Sequence, residues 1–132
     1  MKLIFANIKT IMIVAGLLTC TMFFAVVAPE AALVGMFGES LSEPLAQVLV
    51  RSWGFLIFLM GALLIYGAYK PVYRNLALGL VGISKLVFVS LLLIFGSQYI
   101  GKAAFTIFFD SALAIVFFAY LVRAKGVSEP PA

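Results

Sequence analysis

The sequence predicts an all-α fold, an integral membrane four-helix bundle, and two observations carry that prediction. Of its 132 residues 65% are hydrophobic and only 11% are charged, far from the roughly one-quarter charged make-up of water-soluble domains. The apolar residues also fall into four runs of about 20 residues, the length that crosses a bilayer as a helix. Four such runs occupy most of the chain, so no separate soluble domain fits beside them, and residues 1–125 read as a single four-span transmembrane domain.

The first run, about 10–27, follows Lys2 and Lys9 and ends at Pro29. Its opening resembles a signal peptide, but the apolar stretch is longer than a normal signal core and a cut after Ala28 would abut Pro29, so it is expected to remain as a span. Residues 29–50 are less apolar and hold Glu30, Glu39 and Glu43, with Gly35 and Gly38 interrupting any periodicity, so this segment is expected to be the one long loop. Ser42 is expected to cap the second helix, about 43–69, with Pro44 in its first turn.

Lys70, Pro71 and Arg74 read as a short basic turn, with Pro71 stopping a helix. The third helix is expected over about 76–96, the fourth over about 103–122 after a brief connection, and residues 126–132 as a disordered tail.

The basic residues sit singly at the ends of the runs. If both termini are cytoplasmic, that side collects Lys2, Lys9, Lys70, Arg74, Arg123 and Lys125, against Arg51 and Lys102 on the other, which is the charge bias that orients membrane proteins. Trp53 and Tyr99 then fall at the outer boundary and Tyr66, Tyr69, Tyr73 and Tyr120 at the inner one, where amphipathic rings settle. The net charge of +4 thus reads as a topology signal. It forms no basic stripe with interleaved aromatics, so a nucleic-acid partner is not expected.

Composition also excludes chemistry. With no histidine the chain lacks the usual axial ligand of membrane haem and the commonest transition-metal ligand. Its single cysteine, Cys20, leaves no internal disulfide or CxxC redox pair. Glu30, Glu39 and Glu43 match no calcium loop and read as solvated charges. No cofactor, no metal and no catalytic residue is expected.

Small residues mark where helices approach in lipid. Gly54, Gly61 and Ala68 recur every seven residues in the second run; Gly82 and Gly96 share a face with Lys85, and Ala103, Thr106 and Ala114 share one with Asp110. These residues either pack helices or line a ligand cavity, and Phe23, Phe24, Phe108, Phe109, Phe117 and Phe118 read as lipid-facing or packing residues.

Lys85 lies near the middle of the third run and Asp110 in the outer half of the fourth. Each ion costs about 2.5–3.5 kcal/mol at the bilayer centre, so an arrangement that compensates both is required. The third and fourth helices are antiparallel neighbours joined by a short loop, and an outward-reaching lysine stem brings its ammonium to the carboxylate. A Lys85–Asp110 pair is therefore expected, with Arg51 joining it or reaching headgroups. The pair serves either register or function, and the residues leave both open.

Four short spans with an acidic first outer loop, Arg51-Ser-Trp-Gly at the head of the second helix, Ser84-Lys85 in the third and Asp110 in the fourth together resemble small DoxX-like membrane proteins. The resemblance covers nearly the full length and implies a four-helix bundle in a bacterial inner membrane, in a group where some members serve as quinone-linked subunits.

Three functions remain. The first is an accessory subunit or small module that binds a lipid or quinone-like ligand near Arg51, Lys85 and Asp110. The second is a homo-oligomeric transporter or channel using Lys85 and Asp110 as an ion or proton relay; for the protein as such, the partners considered are a homo-oligomer or a larger membrane complex. The third, ranked lowest, is a membrane enzyme with Asp110 as acid or base.

Overall fold

A computed structural model describes residues 6–127, with side chains through Arg123. Its elements are α1 (Ile8–Cys20), a 3-10 turn (Thr21–Phe23), α2 (Phe24–Val27), α3 (Pro29–Phe37), α4 (Pro44–Tyr69), α5 (Pro71–Phe95), a second 3-10 turn (Ser97–Tyr99) and α6 (Ala104–Val127). The described residues form no strand, and four segments are long and apolar enough to cross a membrane: Ile8–Val27, Pro44–Tyr69, Pro71–Phe95 and Ala104–Arg123. The spans alternate in direction. Ile8, Tyr69, Pro71 and Arg123 share one end of the bundle, called proximal below, and Val27, Pro44, Phe95 and Ala104 lie at the distal end.

Several boundaries differ from the sequence expectation, each for a local reason. Residues 29–37 are a helix and not loop: Pro29 occupies the first helical position, Glu30 the first turn, and Gly38, at φ 80°, closes the last turn in the left-handed region. Such a proline start and glycine stop are strong helix punctuation. Glu43, not Ser42, precedes α4, and it does so without a side-chain cap.

Pro71 starts α5 where it was expected to end the previous helix, so the third span begins five residues earlier than Leu76. Only Lys70, in an extended conformation, separates α4 from α5. At the far end α6 continues to Val127, so Gly126 and Val127 are helical and not tail. Residues 128–132, expected to be disordered, lie outside the described residues.

Two arginines close helix ends. The last carbonyls of any helix lack intrahelical donors. Arg74, in the first turn of α5, donates from Nη2 to Ala68 O at 2.7 Å and from Nε to Gly67 O at 3.4 Å, capping the proximal end of α4. Arg51 does the same for the first span, its Nη1 donating to Val26 O. Each guanidinium thereby meets the negative end of a helix dipole.

Packing follows the small residues. α1 lies antiparallel on α4 so closely that a Cβ on Gly16 would sit 2.7 Å from Gly61 O, and one on Gly61 would sit 2.6 Å from Gly16 O. Further along the same seam Gly54 faces Ala25, and a Cβ there would lie 2.7 Å from the alanine methyl. The stripe Gly54, Gly61 and Ala68 is thus a packing surface, all three residues being buried. On α5, Gly82 receives the ring of Phe118 from α6, at 3.0 Å from an added Cβ.

The main core occupies the proximal half. Met12, Leu64, Leu78 and Phe117, one from each span, are fully buried. A smaller distal cluster joins Ala25, Ala32, Leu33 and Val50. The neighbours run α1–α4–α5–α6, and the backbones of α1 and α6 approach closely at few points although both contribute to the proximal core. A cavity and a groove run between them, an open seam in the bundle.

Candidate functional site: a charge pair beside the open seam

Lys85 belongs to the interior face of α5. Leu78, Val81, Lys85, Val89 and Leu92 are all buried, and their spacing of three and four residues repeats one side of a helix. On α6, Ala103, Ala114 and Phe117 are buried on the side that carries Asp110. Interior faces on adjacent antiparallel helices thus carry the two charges toward each other.

Lys85 Nζ donates to Asp110 Oδ1 at 3.0 Å, and the two side chains are only 9% and 13% exposed. The Phe109 ring lies beneath the ammonium, its centroid 5.9 Å from Nζ, near the outer limit of a cation–π contact. An ammonium has three donors and a carboxylate two acceptor oxygens. The pair joins one donor to one oxygen, and no buried side-chain N or O among the described residues lacks a partner. Asp110 Oδ2, which has no partner of its own, is accordingly not sealed by the surrounding atoms.

The space beside the pair is a mostly apolar cavity of about 280 Å³. Thr19, Met22 and Met36 wall it on one side, and Trp53, Phe88 and Phe109 on others. Its polar groups are few. Ser84 and Thr106 reach it beside the pair, as does Thr19, whose hydroxyl is spent on Ala15 O of its own helix at 2.7 Å. A small number of polar groups in an apolar enclosure is the usual composition of a small-molecule site.

Of the three residues expected to cluster, two meet. Arg51 does not join the pair, because its guanidinium is drawn to the terminal carbonyl of Val26, and it is solvent- or headgroup-exposed at the distal end.

A second cavity, of about 340 Å³, opens at the distal end near Glu39, Ser40 and Tyr99. Phe88 lines both spaces. Phe37 packs on Trp53 and Trp53 on Phe88, with ring centroids 6.4 and 6.2 Å apart. Two of the three glutamates of this region are engaged: Tyr99 donates to Glu39 at 2.8 Å and Gln47 to Glu30 at 3.2 Å. Among the described residues no three His, Cys, Asp or Glu side chains converge as a metal site.

Of the cavity's walls, sequence reasoning reached Thr106, on the face of Asp110, and missed most of the rest. Trp53 stood out only as a boundary aromatic, and Thr19, Met36 and Phe88 carried no signal, since an apolar residue looks the same facing lipid or a void. Phe109 had one usable cue, its place beside Asp110 on a helix that must present that carboxylate inward.

Fold and site together define an all-α, multi-pass membrane protein with a buried ion pair bordering an apolar cavity. No family model, curated protein or solved structure matches the chain.

Proposed function

We propose that the protein is a small non-enzymatic bundle of the bacterial inner membrane, an accessory subunit or binding module that holds a lipid or quinone-like amphiphile beside Lys85 and Asp110. The observation that carries this reading is the incompletely satisfied ion pair on the wall of an apolar cavity of about 280 Å³. A pair that served register alone is best sealed by packing, because each remaining hydrogen-bonding group is costly in hydrocarbon. Here those groups border a space that a ligand head fills.

The resemblance to small DoxX-like membrane proteins belongs to the same proposal. So does the orientation. Lys9, Lys70, Arg74 and Arg123 gather at the proximal end, which the positive-inside bias makes cytoplasmic.

The distal cavity and its shared Phe88 wall favour, as a second reading, an ion or proton relay from the distal surface. Below the pair, however, Met12, Leu64, Leu78 and Phe117 close the core, and a relay within one chain needs a polar path there. The holding of a ligand fits this asymmetry better.

Trp53 is the only tryptophan and lines the cavity, so its fluorescence reports occupancy. In nanodiscs, a long-chain alcohol brominated beside its hydroxyl is expected to quench Trp53 saturably, with relief by the unbrominated alcohol. The Lys85→Met/Asp110→Leu double variant is expected to lose the saturable component. Quenching that rises linearly with probe, and equally in that variant, contradicts the proposal.

A further inference from the structure

The open seam between α1 and α6 runs past the charge pair in both directions. On its distal side Leu18 and Thr19 of α1 face Phe105 and Thr106 of α6 across the central cavity. On its proximal side a groove of about 220 Å³ lies between Thr10, Ile11 and Val14 of α1 and Phe109 and Leu113 of α6. Phe109 is a wall of both spaces, so groove and cavity adjoin at the ion pair.

The lips of this seam are open to the surroundings. Leu18, Phe105 and Val14 are 49%, 78% and 51% exposed. Toward the distal cavity the shared wall is Phe88, whose ring stacks on Trp53. In a bilayer the pair therefore communicates with the acyl-chain region.

Size and charge narrow the occupant. The central cavity alone, at about 280 Å³, falls just short of the roughly 300–1,000 Å³ of small-molecule sites, and together with the groove it lies inside that range. Lys85 and Asp110 sum to zero charge, so a charged head would place a net ion in hydrocarbon. A neutral head that both donates and accepts satisfies the free carboxylate oxygen and an ammonium donor at once. Hydroxyl, phenol and amide heads meet this requirement.

We infer that a neutral, hydroxyl- or amide-headed amphiphile reaches Lys85 and Asp110 sideways from the lipid, through the α1–α6 seam, and rests its chain in the proximal groove against Val14, Phe109 and Leu113. This inference depends on the ligand-holding role proposed above, and it adds the head chemistry, the route and the position of the chain. Thr19 to Thr10 spans nine residues, about 13 Å of helix, which sets the length of chain the seam accommodates.

The test compares octanol and hexadecanol, each brominated beside the hydroxyl, by Trp53 quenching in nanodiscs. The wild-type protein is expected to hold the hexadecyl probe about tenfold more tightly than the octyl probe, both scaled to their membrane concentration. Val14→Phe, at a half-exposed position that lines the groove, is expected to erase that tenfold preference by weakening hexadecyl binding more than octyl binding. Leu113→Phe, from the opposite wall, is expected to do the same. If both variants keep the wild-type chain-length preference, or if the wild type shows none, the chain does not lie in the seam and the inference falls while ligand holding stands. If neither probe quenches saturably in the wild type, the ligand-holding role itself falls.

Discussion

Gly16 and Gly61 meet backbone to backbone, each occupying the space that a Cβ on the other would need. In lipid there is no hydrophobic gain in joining helices, so close approach and its dispersion contacts must supply the attraction. This crossing anchors the first span, whose neighbour along its length is α4. Gly61→Ala is expected to force backbone apart, since its Cβ would lie 2.8 Å from Cys20 N as well as 2.6 Å from Gly16 O. A loss of about 1–3 kcal/mol is expected in detergent unfolding. Gly35→Ala is the matched control: an added Cβ there meets nothing within 4 Å, and stability is expected to hold or rise.

Phe117 is fully buried in the proximal core. In a water-soluble protein Phe→Ala costs about 3–5 kcal/mol, partly because the side chain is transferred back to water on unfolding. Here the unfolded helix still lies in hydrocarbon, so only the cavity and lost dispersion contacts remain. Phe117→Ala is therefore expected to cost about 2 kcal/mol, measured by the same unfolding titration. A loss in the full water-soluble range would show that unfolding exposes this position to water.

Arg74 caps α4 with two hydrogen bonds from a half-buried position, whereas Arg51 is exposed and caps the first span with one. Arg74→Gln is expected to cost about 1 kcal/mol, taking the lower end of charged hydrogen bonds because both ends are near water. Arg51→Gln is expected to cost less. The unfolding midpoints of the two variants, compared side by side, check the order.

The proposed orientation predicts which positions an impermeant maleimide reaches in intact cells. In a Cys20→Ala background, Ser42→Cys in the distal loop is expected to react from outside, and Val72→Cys, 86% exposed at the proximal end, only after the membrane is opened. The reverse pattern would invert the assignment of both termini.

The four spans and the Lys85–Asp110 contact were readable in the sequence because both follow from solvation alone. Hydrocarbon demands long apolar helices, and two ions embedded in adjacent helices have little choice of partner. The helix at residues 29–37 was also written there, in Pro29, Glu30 and Gly38, but Gly35, Gly38 and the less apolar stretch 29–50 as a whole suggested a loop. Which of its two expected places Arg51 takes was not readable, because an unsatisfied carbonyl at Val26 exists only once the first span ends in three dimensions. The open seam was not readable: α6 carries phenylalanines all round, so periodicity does not separate the face on α5 from the face toward lipid. Gly16 was overlooked for a similar reason, since a single glycine in an apolar run gains meaning only opposite Gly61.

Whether Lys85 and Asp110 act as one unit decides the rest, because the cavity has its polar end only if they do. A double-mutant cycle in unfolding free energy measures this most directly, using Lys85→Met, Asp110→Leu and both together. Each single variant leaves a lone ion and is expected to lose about 3 kcal/mol, while the double variant is expected to return to within about 1 kcal/mol of the wild type. A double variant whose loss equals the sum of the two single losses would contradict the pairing.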